Sequence, residues 1–276
     1  LHLMNKISVS REMSNLPDHI LTKLNDAISK MIEKNKSLKT IKFSGETYGR
    51  IEFLEKFSNA LEENKMIERI DFICCEFDIK ELDLICKTIA KNEKIVHFEL
   101  VSNRFEQKHC EIVSTLLNQT KTIKYLNLEN NGITSKDFEI ISSGIAENKT
   151  MQKLYLGYNM MNEEITSSIS QKLMLNNYLR ELHLNDNKID SVGWIAISSL
   201  IQKTKTLRKL DLADNLIGKE YCKILSEALE TNSSLRELNL NNNSLFDKEC
   251  KNISNFLLKN NTLNVLKMKN NHIMTK

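Results

Sequence analysis

Apolar residues recur along this chain in a compound rhythm. A short stretch places them at the first, fourth and sixth positions, as in Leu179, Leu182 and Leu184, and an Asn follows at the ninth, Asn187. The pattern L-x-x-L-x-L-x-x-N starts at Leu179, Leu207 and Leu235, with a close variant at Leu263, and successive starts lie 28 residues apart. The same phase extends back through Met151, Ile123, Ile95 and Ile67, and a slightly longer unit opens at Leu38. Self-similarity at such a period identifies a stack of structural repeats, in which each unit buries its apolar face against its neighbours.

Each unit has two halves. Apolar residues two apart fit one face of a short strand. The second half carries helical spacing: Phe138, Ile141 and Ile145, then Cys222, Leu225 and Leu229, then Cys250, Ile253 and Leu257. Such i, i+3, i+7 sets make one apolar stripe. Most helices are expected to end at an Asn or Thr: Asn92, Thr120, Asn148, Asn176, Thr204, Asn232 and Asn260. The ninth-position column, Asn103, Asn131, Asn159, Asn187, Asn215, Asn243 and Asn271, falls where the chain leaves the strand. An amide that both donates and accepts satisfies backbone groups in a buried turn. Cys75 and Glu46 hold this slot in the two earliest units.

Strands joined by helices run parallel, with a right-handed crossover. The expected fold is therefore α/β: a right-handed solenoid bent into a horseshoe, with a parallel sheet on the concave face and helices on the convex face. On these motifs the chain resembles the ribonuclease-inhibitor class of leucine-rich repeats, which also includes the Ran GTPase-activating protein, tropomodulin and the repeat domains of NOD-like receptors. The resemblance covers residues 38–276, read as eight full repeats and a truncated last one. It implies a scaffold that binds a protein partner on its concave face.

Residues 1–37 do not follow the phase and read as an N-terminal helical cap or an irregular first repeat. Pro17 suits a first helical turn, and Ile20, Leu21, Leu24, Ile28, Met31 and Ile32 give that helix an apolar stripe. Leu1, Leu3, Asn5 and Ile7 resemble the remnant of a strand. The last unit stops after its strand, so the expectation is a fragment of a longer protein or an end covered by a partner.

Composition adds limits. The unbroken phase argues for one repeat domain, and 7 Gly and 1 Pro leave no visible linker. A net charge of +3 is too mild to imply nucleic acid or membrane, and no stretch reads as a membrane span or signal peptide. Of six cysteines, Cys110, Cys222 and Cys250 share a helix phase with Phe138 and Trp194 and read as small core residues. Equivalent helix positions stand about 10 Å apart, beyond disulfide reach. Unpaired thiols suit a reducing compartment, hence a cytoplasmic location.

Searching for chemistry returns little. There is no G-x-x-x-x-G-K-[ST], H-E-x-x-H, G-x-S-x-G or C-x-x-C. No catalytic residue, cofactor, metal or small-molecule substrate is expected, and the chain reads as a non-enzyme. If positions four and six face the core, positions three, five and seven face the concave side, with position eight at its edge. Those columns place Tyr125, Tyr155 and Tyr158 together, with Gly157 leaving room for an approaching partner, and His183, Asp186, Asp211 and Asp214 on the following units. Rigid exposed tyrosines make good anchors. The competing reading is that these polar residues only solvate the sheet. The His183 and Asp group also has metal-ligand character, but no second set of ligands closes it.

The expected function is a non-catalytic protein-binding module whose partner is a protein, not nucleic acid, membrane or small molecule. The alternative, implied by the resemblance alone, is a regulator of an enzyme, such as a Ran-type GTPase activator. A Lys- and Asn-rich composition fits an AT-rich genome and leaves room for a pathogen effector delivered into a host cytosol.

Overall fold

The computed structural model describes residues 6–9, 17–45, 50–161, 167–215 and 217–273. Strands and helices alternate throughout: β1 (Lys6–Val9), α1 (Asp18–Lys34), β2 (Thr40–Ser44), α2 (Arg50–Glu63), β3 (Arg69–Ile73), α3 (Ile79–Lys91), β4 (His97–Val101), α4 (Gln107–Gln119), β5 (Tyr125–Asn127), α5 (Ser135–Glu147), β6 (Lys153–Tyr155), α6 (Ser167–Leu175), β7 (Glu181–His183), α7 (Ser191–Lys203), β8 (Lys209–Asp211), α8 (Lys219–Thr231), β9 (Glu237–Asn239), α9 (Asp247–Lys259) and β10 (Val265–Lys267). The strands form one parallel sheet in chain order. Register follows the repeat: Arg69, His97, Tyr125, Lys153, Glu181, Lys209, Glu237 and Val265 are successive partners. Sequence columns are therefore physical columns across the sheet. The helices pack on the outer face, and the result is an open α/β horseshoe.

The core lies between sheet and helices. Positions one, four and six are fully buried through the central units, for example Ile123, Leu126, Leu128, Leu179, Leu182 and Leu184. Aromatic rings replace leucine at the N-terminal end. Phe43 stacks on Phe72 at 5.1 Å and meets the edges of Phe53 and Phe57 from α2. Cys110 and Cys222 are buried, whereas Cys250, on the outermost described helix, is only half-buried. No disulfide forms among the described residues.

Two asparagine ladders hold the turns. On the strand side, each ninth-position amide donates through Nδ2 to a carbonyl of the preceding repeat, as Asn131 to Leu100 (2.6 Å), Asn215 to Leu184 (2.8 Å) and Asn243 to Leu212 (2.9 Å). Several accept through Oδ1 from the preceding column member's N–H: Cys75 to Asn103, Asn103 to Asn131, and Asn131 to Asn159. On the helix side, Asn92, Asn148, Asn176, Asn232 and Asn260 each donate to a carbonyl one repeat back. Each also receives the N–H three residues on, which closes the turn into the next strand. Buried backbone groups that regular structure leaves unpaired are thereby satisfied.

At the N-terminal end, Ile7 lies in β1 and pairs with Ile41 of β2. Leu1, Leu3 and Asn5, and the side chain of Leu21, lie outside the described residues. The stripe on α1 is less covered than its pattern suggests. Ile32 is fully buried, Leu24, Ile28 and Met31 are half-buried, and Ile20 is exposed. Among the described helices α1 packs against α2.

Candidate functional site

The concave face is built from the third- and fifth-position columns. Neighbouring strands lie about 4.8 Å apart, so side chains of one column touch along it. The fifth column is consequently more buried than alternation alone predicts. Asp71 is 2% exposed and His183 8%, and Glu99 and Asn127 are likewise buried. Stacked neighbours, rather than the core, cover them.

Four rings cross β4 to β7 as one continuous ladder. His97 stacks on Tyr125 (3.7 Å between centroids), Tyr125 leans on Tyr155 (4.7 Å), and Tyr155 stacks on His183 (4.0 Å). The first and last contacts join direct register partners; the middle one is diagonal, stepping from column three to column five. Contacts of this kind each contribute about 0.5–1.5 kcal/mol beyond area burial. Burial, then the neighbouring charge of Glu99, pushes the Tyr125 hydroxyl's pKa up; burial and Glu181 do the same for Tyr155. Both hydroxyls remain hydrogen-bond donors across the physiological range.

Carboxylates flank both ends of the ladder. Glu99 accepts from His97 Nε2 (2.7 Å) and from Arg69 (2.9 Å), while Arg69 also grips Asp71 (2.8 Å). Burial raises the pKa of Glu99, but the His97 hydrogen bond and the Arg69 charge outweigh it, and the carboxyl sits below its ordinary value. Asp71, His97 and Glu99 have ligand atoms within 4.8 Å of one another, a spacing a cation could use. Arg69 already supplies that cation. At the other end, Asp211 lies 3.7 Å from His183 Nδ1 and accepts from Asn239 (3.0 Å) and from the Ala213 N–H (3.1 Å). Burial again opposes ionisation, and these partners again prevail, so the Asp211 carboxyl is held low. Lys153–Glu181, Lys209–Glu237 and Lys267–Glu237 pair across the remaining strands.

The sequence-derived set thus divides. Tyr125, Tyr155, His183 and Asp211 come together as one packed network. Tyr158, Asp186 and Asp214 do not join it. They lie in the eighth column, at the strand-end rim, with Tyr158 57% exposed and Asp214 also exposed. Gly157 requires a correction. A Cβ there would meet the Asn185 side chain at 2.6–2.8 Å, so the space beside it is filled by Asn185 and not left for a partner. His97, Glu99 and Glu181 belong to the network although the sequence did not single them out. The signal was present in the register, since His97 directly precedes Tyr125 in column three.

Two stretches, residues 175–198 and residues 234–256, match the family described as Leucine Rich Repeat. The chain is a leucine-rich-repeat protein. Its fold is similar to that of the leucine-rich repeat-containing protein LegL7 from Legionella pneumophila (TM-score 0.64, 16% identity), covering 95% of this chain and 82% of that one. It is also similar to TLR13 in a complex with the RNA ssRNA13 (TM-score 0.55, 17% identity), covering 88% of this chain but only 30% of that one. These likenesses establish the shared leucine-rich-repeat architecture. Among curated protein sequences none matches this chain. No helix among the described residues is long and apolar enough to cross a membrane.

Proposed function

We propose that this leucine-rich-repeat protein is a non-catalytic scaffold that binds a protein partner on the concave side of its sheet, through the tyrosine- and aspartate-bearing units from Tyr125 to Asp214. The observation that carries this reading is the four-ring ladder His97–Tyr125–Tyr155–His183 on a rigid sheet. Interlocked rings present a large surface whose side chains are already ordered, so little conformational entropy remains to be lost on association. A helix after each strand from β1 to β9 and the 28-residue spacing of the asparagine contacts favour the ribonuclease-inhibitor type of repeat.

The test compares three forms for capture of a partner from extract: wild type, Tyr155→Ala/Tyr158→Ala/Asp211→Lys/Asp214→Lys, and a convex-face control, Val192→Ala/Ile195→Ala. The reading predicts that the fourfold variant loses the partner and the control keeps it, with circular dichroism unchanged in both. Retention by the fourfold variant refutes it.

A further inference from the structure

The eighth column carries a feature that the fold does not require. Cys74, Ser102, Asn130, Tyr158, Asp186, Asp214, Asn242 and Asn270 all adopt left-handed backbone conformations, with φ between 51° and 59°. From Cys74 to Asn242 this geometry lets each N–H reach the next repeat's carbonyl, as Tyr158 to Asn185 (2.9 Å), Asp186 to Ala213 (2.9 Å) and Asp214 to Asn241 (3.0 Å). Short polar residues tolerate the conformation best. Asn meets the requirement at Asn130, Asn242 and Asn270 without adding charge. Asp186 and Asp214 therefore carry charge in excess of what the turn needs. Tyr158 is further from the rule, because a bulky ring is an outlier in this region. Its ring joins no stack among the described residues, and it stands exposed beside Met160, which is 60% exposed.

The charges at the rim are also uncompensated. Deeper on the concave face the acids have cationic partners: Asp71 and Glu99 with Arg69, Glu181 with Lys153, Glu237 with Lys209 and Lys267. Asp186 and Asp214 form no ion pair within 4 Å among the described residues, and neither does nearby Lys188. They occupy neighbouring repeats of one column, so a single cationic group from outside can be attracted by both.

Resting on the concave-side reading above, we propose that the rim formed by Tyr158, Asp186 and Asp214 docks an arginine-bearing segment of a protein partner. A guanidinium forks onto a carboxylate and lies against an aromatic face, which lysine does less well. Tyr158 stands outside the ladder with more than half its surface exposed, so its ring is open to such a contact.

Fluorescence anisotropy with labelled nona-arginine, nona-lysine, nona-glutamate and a nine-nucleotide single-stranded RNA tests this. Nona-arginine should bind at least about threefold more tightly than nona-lysine, and nona-glutamate and RNA should not bind at the rim. Asp186→Asn/Asp214→Asn keeps the short polar residues that the turn accepts, and should weaken nona-arginine binding about tenfold. Tyr158→Asn should remove the preference for arginine over lysine, and Glu33→Gln on α1 should change nothing. Equal nona-arginine affinity for wild type and Asp186→Asn/Asp214→Asn overturns the proposal, as does tighter binding of the RNA that those substitutions improve. If the peptide result fails while the fourfold concave variant still loses its extract partner, the concave reading stands and only the partner chemistry is wrong.

Discussion

Asn215 offers the most demanding test of how the repeats are held together. It is fully buried. Its Oδ1 accepts the N–H groups of Asn187 (3.1 Å) and Ile189 (3.2 Å), and its Nδ2 donates to the carbonyls of Leu184, Leu212 and Ala213 at 2.8–3.2 Å. Asn215→Ala leaves two buried N–H groups without an acceptor and the Leu184 carbonyl without its amide donor. Each orphaned group costs about 1–3 kcal/mol, and with partial rescue by relaxed backbone and water the total is about 3–5 kcal/mol. An unfolding entropy near 0.6 kcal/mol/K for a chain of this length converts that into a fall of about 5–8 °C in Tm. Asn187 supplies the internal contrast. Its Oδ1 has no hydrogen-bond partner, so removing it orphans no N–H. Its Nδ2 serves Leu156 and Asn185, and the Leu156 carbonyl also receives Asn159. Asn187→Ala should cost only about 1 kcal/mol. Thermal and urea unfolding followed by circular dichroism measure both. Equal losses for the two variants, or a shift below about 2 °C for Asn215→Ala, refute the reasoning.

Other consequences follow from packing and ionisation. Gly144 lets α5 approach α4: a Cβ there would sit 2.5 Å from the Ser114 carbonyl oxygen. Gly144→Ala should therefore lower the urea midpoint by the equivalent of about 1–3 kcal/mol despite its better helix propensity, and a rise would contradict this. Burial pushes the Cys75 thiol to about 12 and the Cys222 thiol to about 11, whereas Cys74 is exposed. Ellman's reagent at pH 8 should label Cys74 first, ahead of half-buried Cys250, and Cys74→Ser should abolish that fastest phase. The Asp211 carboxyl is held below 3.8, so its contribution to stability is complete above about pH 4 and is lost as pH falls through its folded value. Asp211→Asn should destabilise the protein at pH 7 and flatten the acid limb of its stability profile; an unchanged acid limb would count against the His183 and Asn239 contacts.

Much of this architecture could be read before any coordinates, because periodicity is a property of the chain and register inherits it. Once Leu126, Leu154 and Leu182 share a phase, their strands pair in that phase. What could not be read is how side chains of one column settle against one another. Position five alternates with the core and looks exposed, yet Asp71 and His183 are covered by their own neighbours. Gly157 looked like an opening because a missing side chain carries no information about what fills the gap, and Asn185 fills it. The left-handed rim was equally hidden. Asn, Asp and Ser at position eight are compatible with it, but so is an ordinary loop, and only the shared backbone angle makes Tyr158 an outlier.

The central claim is that partners are met on the concave side at the rim. A photo-crosslinking residue placed at Tyr158, and in a second protein at exposed Ile195 on α7, tests it directly in extract. The account predicts a discrete crosslinked species from position 158 that excess wild-type protein suppresses and excess Tyr158→Asn/Asp186→Asn/Asp214→Asn does not, with no such species from position 195. A suppressible species from position 195 and none from position 158 would contradict it.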